Sequence, residues 1–415
     1  MKLGYEEYLK LLREKSLLPG FVTPYYEGLS IVNLTSSLYR ILSISTPANV
    51  KPLKYLDRLD EEFDAVLLFL VDALGFYDFV NSIDRRLHKE IKNLFSIYPI
   101  TTVAPSTTTT ALASLYTGLP PNKHGLVGYR IYFKEFGLIV KIIEYSPIVG
   151  GFRDSLGFED IDPKDILPHP LIFENAENSG LKSFVAIKKQ YQDSMFTRLL
   201  IGETRVIPFI EMEDMFLKII EKVKRGRGQL FIHAYWNNLD ILGHEYGPNS
   251  PVYGEHISRF FEYFVKFVRK ILKIKKKIHI LLTGDHGHVQ VDPRKPFIVK
   301  KEDEIFETLA LPPYGDSRFT YFKTDDKDAF LSLAKKSFPK SFRLYESIYL
   351  NKLGLFGQGT ENKEFLERIG DFIAIPQDNS YLVYPFTRNY KETMRGRHSG
   401  LSEREMIIPL LSLKY

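Results

Sequence analysis

The sequence predicts an α/β fold built on a mostly parallel sheet, and three observations carry that reading. Ala65–Val71, Leu230–Tyr235 and Ile278–Leu282 are continuous apolar runs of strand length, the mark of strands buried on both faces. Amphipathic helical stretches at Glu213–Lys224 and Ile257–Leu272 fall between or before such runs, so strands alternate with helices as in crossover units. Acids or histidines follow each run within a few residues, and open α/β sheets gather their chemistry at the carboxyl ends of their strands.

Taken in order, Tyr5, Tyr8, Leu9 and Leu12 lie at helical spacing, and a second helix is predicted around Ser36–Leu42, beyond the Leu18-Pro19-Gly20 loop. The run Ala65–Val71 ends at Asp72, within Val71-Asp72-Ala73-Leu74-Gly75; a carboxylate there is either a ligand or a helix cap. Thr101–Val103 is β-branched and stops at Pro105. Ser106 and Thr107–Thr110 make a hydroxyl-rich turn, and the chain resumes as helix from Ala111 to Thr117. Hydroxyls at a helix N-terminus either cap it or face an anion drawn by its free amides. A turn-rich segment, Gly118–Gly125, leads to Tyr129–Phe133. Residues 146–182 are irregular apart from a helix over Leu171–Asn178, and Ser183–Ile187 reads as a short strand.

Leu230–Tyr235 leads into Trp236–His244, closed by Gly247-Pro248. Asp240 and His244 are four apart, so one helical turn presents both to a single ion, or to each other as an ordinary surface pair. Ile278–Leu282 ends in Thr283-Gly284-Asp285-His286-Gly287-His288, with two ligand types adjacent on a glycine-flanked turn. Residues 296–380 show a pattern of their own: strand Arg318–Lys323, helix Asp328–Phe338 and strand Phe342–Leu350. They are predicted as a small α+β insertion, or cap, in a catalytic core made of 1–295 and 381–415. Phe372–Ile375 and Tyr381–Val383 read as strands on the return. His398 stands in the loop before a Ser402…Glu405 capping box.

With 415 residues the chain can form one large domain with an insertion. It has no apolar run of about 18 residues, so no membrane span is predicted, and its first residues lack a secretory apolar segment. The absence of cysteine excludes disulfides and thiolate ligands, leaving histidine and carboxylate for any metal; a cytoplasmic location is expected. The net charge is +5, and the densest basic run, Lys273–Lys277, sits at a helix–strand junction, so no nucleic-acid surface is expected. The oligomeric state is not legible.

Asp72, Asp240, His244, Asp285, His286 and His398 together supply three carboxylates and three imidazoles. That is a donor set for two divalent ions, best suited to zinc, with manganese or iron as alternatives. Two such ions about 3.5–4 Å apart act on both oxygens of an in-line displacement.

These residues resemble the alkaline phosphatase superfamily, and most of all its type I phosphodiesterase/nucleotide pyrophosphatase branch. The resemblance covers roughly 62–130, 228–292 and 394–411. It rests on Val71–Gly75, a nucleophile position nine residues before Thr117-Gly118, Pro121-x-x-His124-Gly125, Asp240-x-x-Gly243-His244-x-x-Gly247-Pro248, Thr283-x-Asp285-His286-Gly287, and the late His398. It implies a three-layer core with helices on both faces of the sheet. It implies Asp240, His244 and His398 on one zinc, and Asp72, Asp285 and His286 on the other. Thr108 would bridge them as nucleophile, with Ser106, Thr107 and Thr109 as rivals. Members of the branch often carry an asparagine where this chain has Tyr129, so the Tyr129 hydroxyl or the Arg130 guanidinium would hold a phosphoryl oxygen. The implied activity is two-metal hydrolysis of small phosphodiesters or nucleotide pyrophosphates through a phospho- or nucleotidyl-threonine. Phosphomonoester hydrolysis and cofactor-independent phosphosugar mutation are the alternatives on the same core.

Overall fold

A computed structural model describes residues 5–46, 50–54, 56, 61–159, 161–167 and 169–415. Its centre is a seven-stranded sheet made of β1 (Ala65–Val71), β2 (Ser96–Thr101), β3 (Lys182–Lys188), β4 (Arg205–Phe209), β5 (Leu230–Trp236), β6 (Ile278–Thr283) and β7 (Ile407–Lys414). The order is β2-β7-β6-β1-β5-β3-β4. The five strands from β6 to β4 are parallel, and β7 runs antiparallel between β6 and β2. The apolar tail of the sequence is therefore a core strand.

Every residue of β1 is buried, which explains its unbroken hydrophobicity. Val66, Leu68 and Leu70 point into one core, whereas Leu67, Phe69 and Val71 point into the other. The first core is closed by α1 (Ile31–Ile41), α2 (Thr108–Thr117) and α3 (Ile172–Asn178). The second is closed by α4 (Met212–Arg225) and α6 (Pro251–Ile271), while α5 (Asn238–Tyr246) leaves the carboxyl end of β5. Val71 pairs with Trp236 and Leu70 with Thr283, so β1, β5 and β6 end level with one another and deliver their following residues to one edge.

Two boundaries differ from the sequence reading at the point that matters. The strand ends at Thr101, and α2 begins at Thr108 instead of Ala111. Threonine is a poor helix-interior residue but suits the first turn, where its hydroxyl competes for otherwise unpaired backbone groups.

Residues beyond β6 build a lobe around a four-stranded antiparallel sheet, in the order Tyr314–Asp316, Phe319–Phe322, Phe372–Pro376, Phe342–Glu346, with helix Lys327–Ser337. The strand expected over Phe342–Leu350 stops at Glu346 and turns into helix Ser347–Lys352. Phe372–Pro376 pairs within this sheet and not with the core. Among the described residues, no helix is long and apolar enough to cross a membrane.

Candidate active site

The turns after β1 and β6 are strapped together. Asp285 Oδ1 accepts the amides of Ala73 at 2.9 Å and His286 at 3.0 Å, and the Tyr253 hydroxyl donates to the Ala73 carbonyl at 2.7 Å. Ala73 adopts a left-handed φ of 64°, a conformation costing a non-glycine residue about 1–3 kcal/mol and held only where surroundings over-determine it. These bonds do so, and they fix Asp72 beside Asp285. Gly287 is required by proximity, since a Cβ there would strike the Arg404 carbonyl.

Thr108 opens α2, with Thr107 as its cap residue. Its Oγ1 lies 3.1 Å from His286 Nε2 and 3.5 Å from Asp72 Oδ1. Two of the rival hydroxyls are engaged elsewhere: Ser106 donates to the Gly400 carbonyl and Thr109 to that of Gly128, both at 2.7 Å. The first-turn amides of α2 have no partner inside the helix and surround Thr108 with positive potential.

A second group forms around Asp240. His244, one turn along α5, brings Nε2 to 3.4 Å from Asp240 Oδ1, and His398 Nε2 is 3.9 Å from the same oxygen. Each imidazole is oriented by its other nitrogen: His244 Nδ1 pairs with the Gly396 carbonyl at 2.9 Å, His398 Nδ1 with that of Ser106 at 3.1 Å, and His286 Nδ1 with that of Gly287 at 3.2 Å. An Nδ1–H donated to a carbonyl leaves the Nε2 lone pair facing inward, which is how ligating histidines are held. The structure thus brings together all six ligand positions read from the sequence.

Three participants were not read from the sequence. His288 Nε2 is 2.9 Å from Asp240 Oδ1; the period of two that places it beside His286 along an extended segment was the available signal. The Tyr235 hydroxyl donates to Asp72 Oδ2, a pairing that depends on β1–β5 adjacency. Asp316, from the lobe, accepts the Tyr129 amide at 3.0 Å, a contact with no sequence signature.

The site concentrates negative charge. Burial pushes the Asp72 carboxyl well up, and repulsion from Asp285 and Asp240 adds to it. Asp240, despite burial, is held well below the usual range by His244, His288 and His398. Burial and the neighbouring imidazoles of His286, His244 and His288 push the His398 pKa well below the usual imidazole range. Asp285 Oδ2 is buried with no hydrogen-bond partner, and His286 Nε2 stands 3.5 Å from it. Among the described residues no lysine or arginine pairs with Asp72, Asp240 or Asp285, whose ionic neighbours are histidines. The convergent donors fall into two groups fit for divalent cations, Asp240, His244, His288 and His398 in one and Asp72, Asp240 and His286 in the other; Asp285, expected in the second, is in neither and stands beside it against His286.

The family model of type I phosphodiesterase / nucleotide pyrophosphatase matches residues 66–401. The chain belongs to this family. It is 24% identical over 265 residues to human ectonucleotide pyrophosphatase/phosphodiesterase family member 5, a match spanning 62% of this chain and 50% of that protein. The chain therefore covers about half the length of this relative. The solved murine ectonucleotide pyrophosphatase/phosphodiesterase 5 superposes with a TM-score of 0.61 at 17% identity, covering 83% of this chain and 87% of that one. Phosphonoacetate hydrolase from Sinorhizobium meliloti gives 0.62 at 17% identity, covering 89% and 92%. These similarities show a shared fold.

Within this family frame, the His124 of the Pro-x-x-His-Gly motif is structural. Its Nδ1 accepts the Leu126 amide at 3.0 Å, so its Nε2–H donates to Ser114 Oγ at 2.9 Å and pins the turn to α2. Tyr129 donates its hydroxyl to Glu144 Oε1 at 2.8 Å. The Arg130 guanidinium lies between the rings of Tyr129 and Phe386, at 5.5 and 5.7 Å, and its buried Nε has no partner. The Arg130 charge acts on the buried Asp316 carboxyl, and neither Tyr129 nor Arg130 lines the cavity at Thr108.

A cavity of about 160 Å³ opens beside Thr108, Asp72 and Asp240. Leu112, Tyr116, Ile187, Phe196 and Leu200 form its walls, and Arg153 stands at its rim. One end is charged, and the remaining lining mixes these apolar side chains with the polar Ser194, Thr197 and Asn237, so a substrate there meets apolar walls and a few polar contacts.

Proposed function

We propose that the chain hydrolyses small phosphodiesters or nucleotide pyrophosphates, with Thr108 as nucleophile. The observation that carries the reading is the position of Thr108 Oγ1, 3.1 Å from His286 Nε2 and 3.5 Å from Asp72 Oδ1, at a helix N-terminus and against the donor group of Asp72 and His286. The relative solved with AMP, a murine form described as inactive with a threonine replaced by alanine, supports both the hydroxyl and the substrate class.

Asp240, His244 and His398 would hold one divalent cation, and Asp72, Asp285, His286 and Thr108 the other, with zinc best matched to the nitrogen and oxygen donors. Such cations supply Lewis acidity and favour an ionised nucleophile at neutral pH. The remaining work falls to the chain. The α2 amides receive the phosphoryl oxygens. The Thr108 oxygen bonds to phosphorus, its proton is released, and the bond to the leaving group breaks as the departing oxygen takes up a proton. Water then attacks the phosphothreonine or nucleotidylthreonine and restores the hydroxyl. The cavity walls of Leu112, Ile187, Phe196 and Leu200 take the organic substituent, and the lobe of residues 296–380 acts as a cap that shapes substrate choice.

The test is hydrolysis of bis-p-nitrophenyl phosphate against p-nitrophenyl phosphate, with zinc or manganese added. Faster diester cleavage is expected. Isomerisation of a phosphosugar without release of phosphate would instead identify a mutase.

A further inference from the structure

His288 lies outside the three-residue ligand set around Asp240, yet it is built into that group. We propose that His288 is a fourth protein ligand to the ion of Asp240, His244 and His398. The inference rests on the two-metal reading above and adds a residue to it.

The geometry is convergent: one ligand atom from each of Asp240, His244, His288 and His398 falls within 4.8 Å of every other. At metal–ligand distances of about 2.0–2.1 Å, ligands at right angles stand about 2.9 Å apart and tetrahedral ones about 3.4 Å. His288 Nε2 is 2.9 Å and His244 Nε2 3.4 Å from Asp240 Oδ1, matching those two edges. His288 is fully buried, and its ring stacks parallel to that of His286, with centroids 5.7 Å apart and planes at 8°. Gly243 and Gly396 make the room, since a Cβ on either would press into the imidazole. The His288 Nδ1 has no partner, and Nε2 meets only the carboxylate of the ligand group. The core histidines His233 and His279 also leave Nδ1 without a partner, but their Nε2 atoms meet the hydroxyls of Tyr116 and Ser412. Three imidazoles and one carboxylate make this half of the site nitrogen-rich beside an oxygen-rich half at Asp72, Asp285 and Thr108. Zinc or cobalt would then fill the Asp240 half first.

The experiment loads the full chain with cobalt(II) and counts exchangeable, paramagnetically shifted imidazole N–H resonances by proton NMR. The wild type should show one more than His244, His286 and His398 supply. His288→Gln should lose that resonance and weaken one zinc equivalent by more than about 100-fold, beyond the 10–100-fold typical of residues outside the ligand shell. His288→Glu, which restores a ligand, should recover much of that affinity, and the metal-free His288→Gln protein should unfold at the wild-type temperature. His244→Ala serves as the control for the parent reading. Loss of an equivalent in His244→Ala, with every shifted resonance kept in His288→Gln, would overturn the ligand role of His288 and leave two metals standing. Fewer than two equivalents in the wild type would overturn both. A variant that fails to fold leaves the wild-type resonance count to decide.

Discussion

Arg318 and Glu405 form a fully buried, two-pronged ion pair, Nε to Oε1 at 2.7 Å and Nη2 to Oε2 at 2.9 Å, between the lobe and the loop that follows His398. Arg318 also donates to the carbonyls of Asp378 and Ser380, and Glu405 accepts the Gly400 amide and the Ser402 hydroxyl. The lobe is therefore bound through charge to the segment that places His398.

Replacing Arg318 by Met strands a buried carboxylate, which costs about 3–5 kcal/mol. Denaturant unfolding should show a loss of this size, and the double variant Arg318→Met/Glu405→Met should recover much of it. Metal affinity should also fall in the single variant, because the His398 loop loosens. An unchanged unfolding midpoint would contradict the bridge.

Acid stability should depend on His279. Its Nε2 pairs with Ser412 Oγ at 2.9 Å, and burial lowers its pKa to about 3. Below about 6.5 the unfolded chain binds a proton that the folded chain refuses, so this contribution is complete above pH 6.5 and disappears as the pH falls towards 3. His279→Gln should flatten the slope of unfolding free energy against pH in that window by about 1.4 kcal/mol per unit. Parallel slopes for variant and wild type would refute it.

Much of this site was legible because its chemistry follows buried strands. Asp72 and Asp285-His286 stand directly after apolar runs, and Asp240 and His244 declare themselves by helical spacing. What was not legible depends on neighbours in space. Tyr235 reaches Asp72 only because β1 and β5 are adjacent. Asp316 reaches Tyr129 across the lobe boundary. Phe372–Pro376 reads as a strand, but no periodicity tells which sheet it joins. The apolar tail gave no turn signals that would separate a strand from a buried helix, and only the pairing of β7 with β2 and β6 decides it. The threonine run concealed the start of α2, because cap geometry and not propensity sets it.

The cavity beside Thr108 should govern substrate choice. Leu200 is buried in its wall, and Leu200→Trp would fill space that an organic substituent needs. The variant should raise KM for bis-p-nitrophenyl phosphate by tenfold or more, equivalent to about 1.4 kcal/mol, and leave the metal content unchanged. Equal kinetics for variant and wild type would place the substituent elsewhere.

The central claim is covalent catalysis by Thr108. Rapid quenching of a turnover mixture, followed by mass spectrometry, should find the phosphoryl or nucleotidyl group on Thr108 and on no other hydroxyl of the Ser106–Thr110 run. Thr108→Ala should lose several orders of magnitude in turnover, each tenfold being about 1.4 kcal/mol of barrier, with metals still bound. An adduct on Ser106 or a neighbouring threonine, or an active Thr108→Ala enzyme without any adduct, would contradict the account.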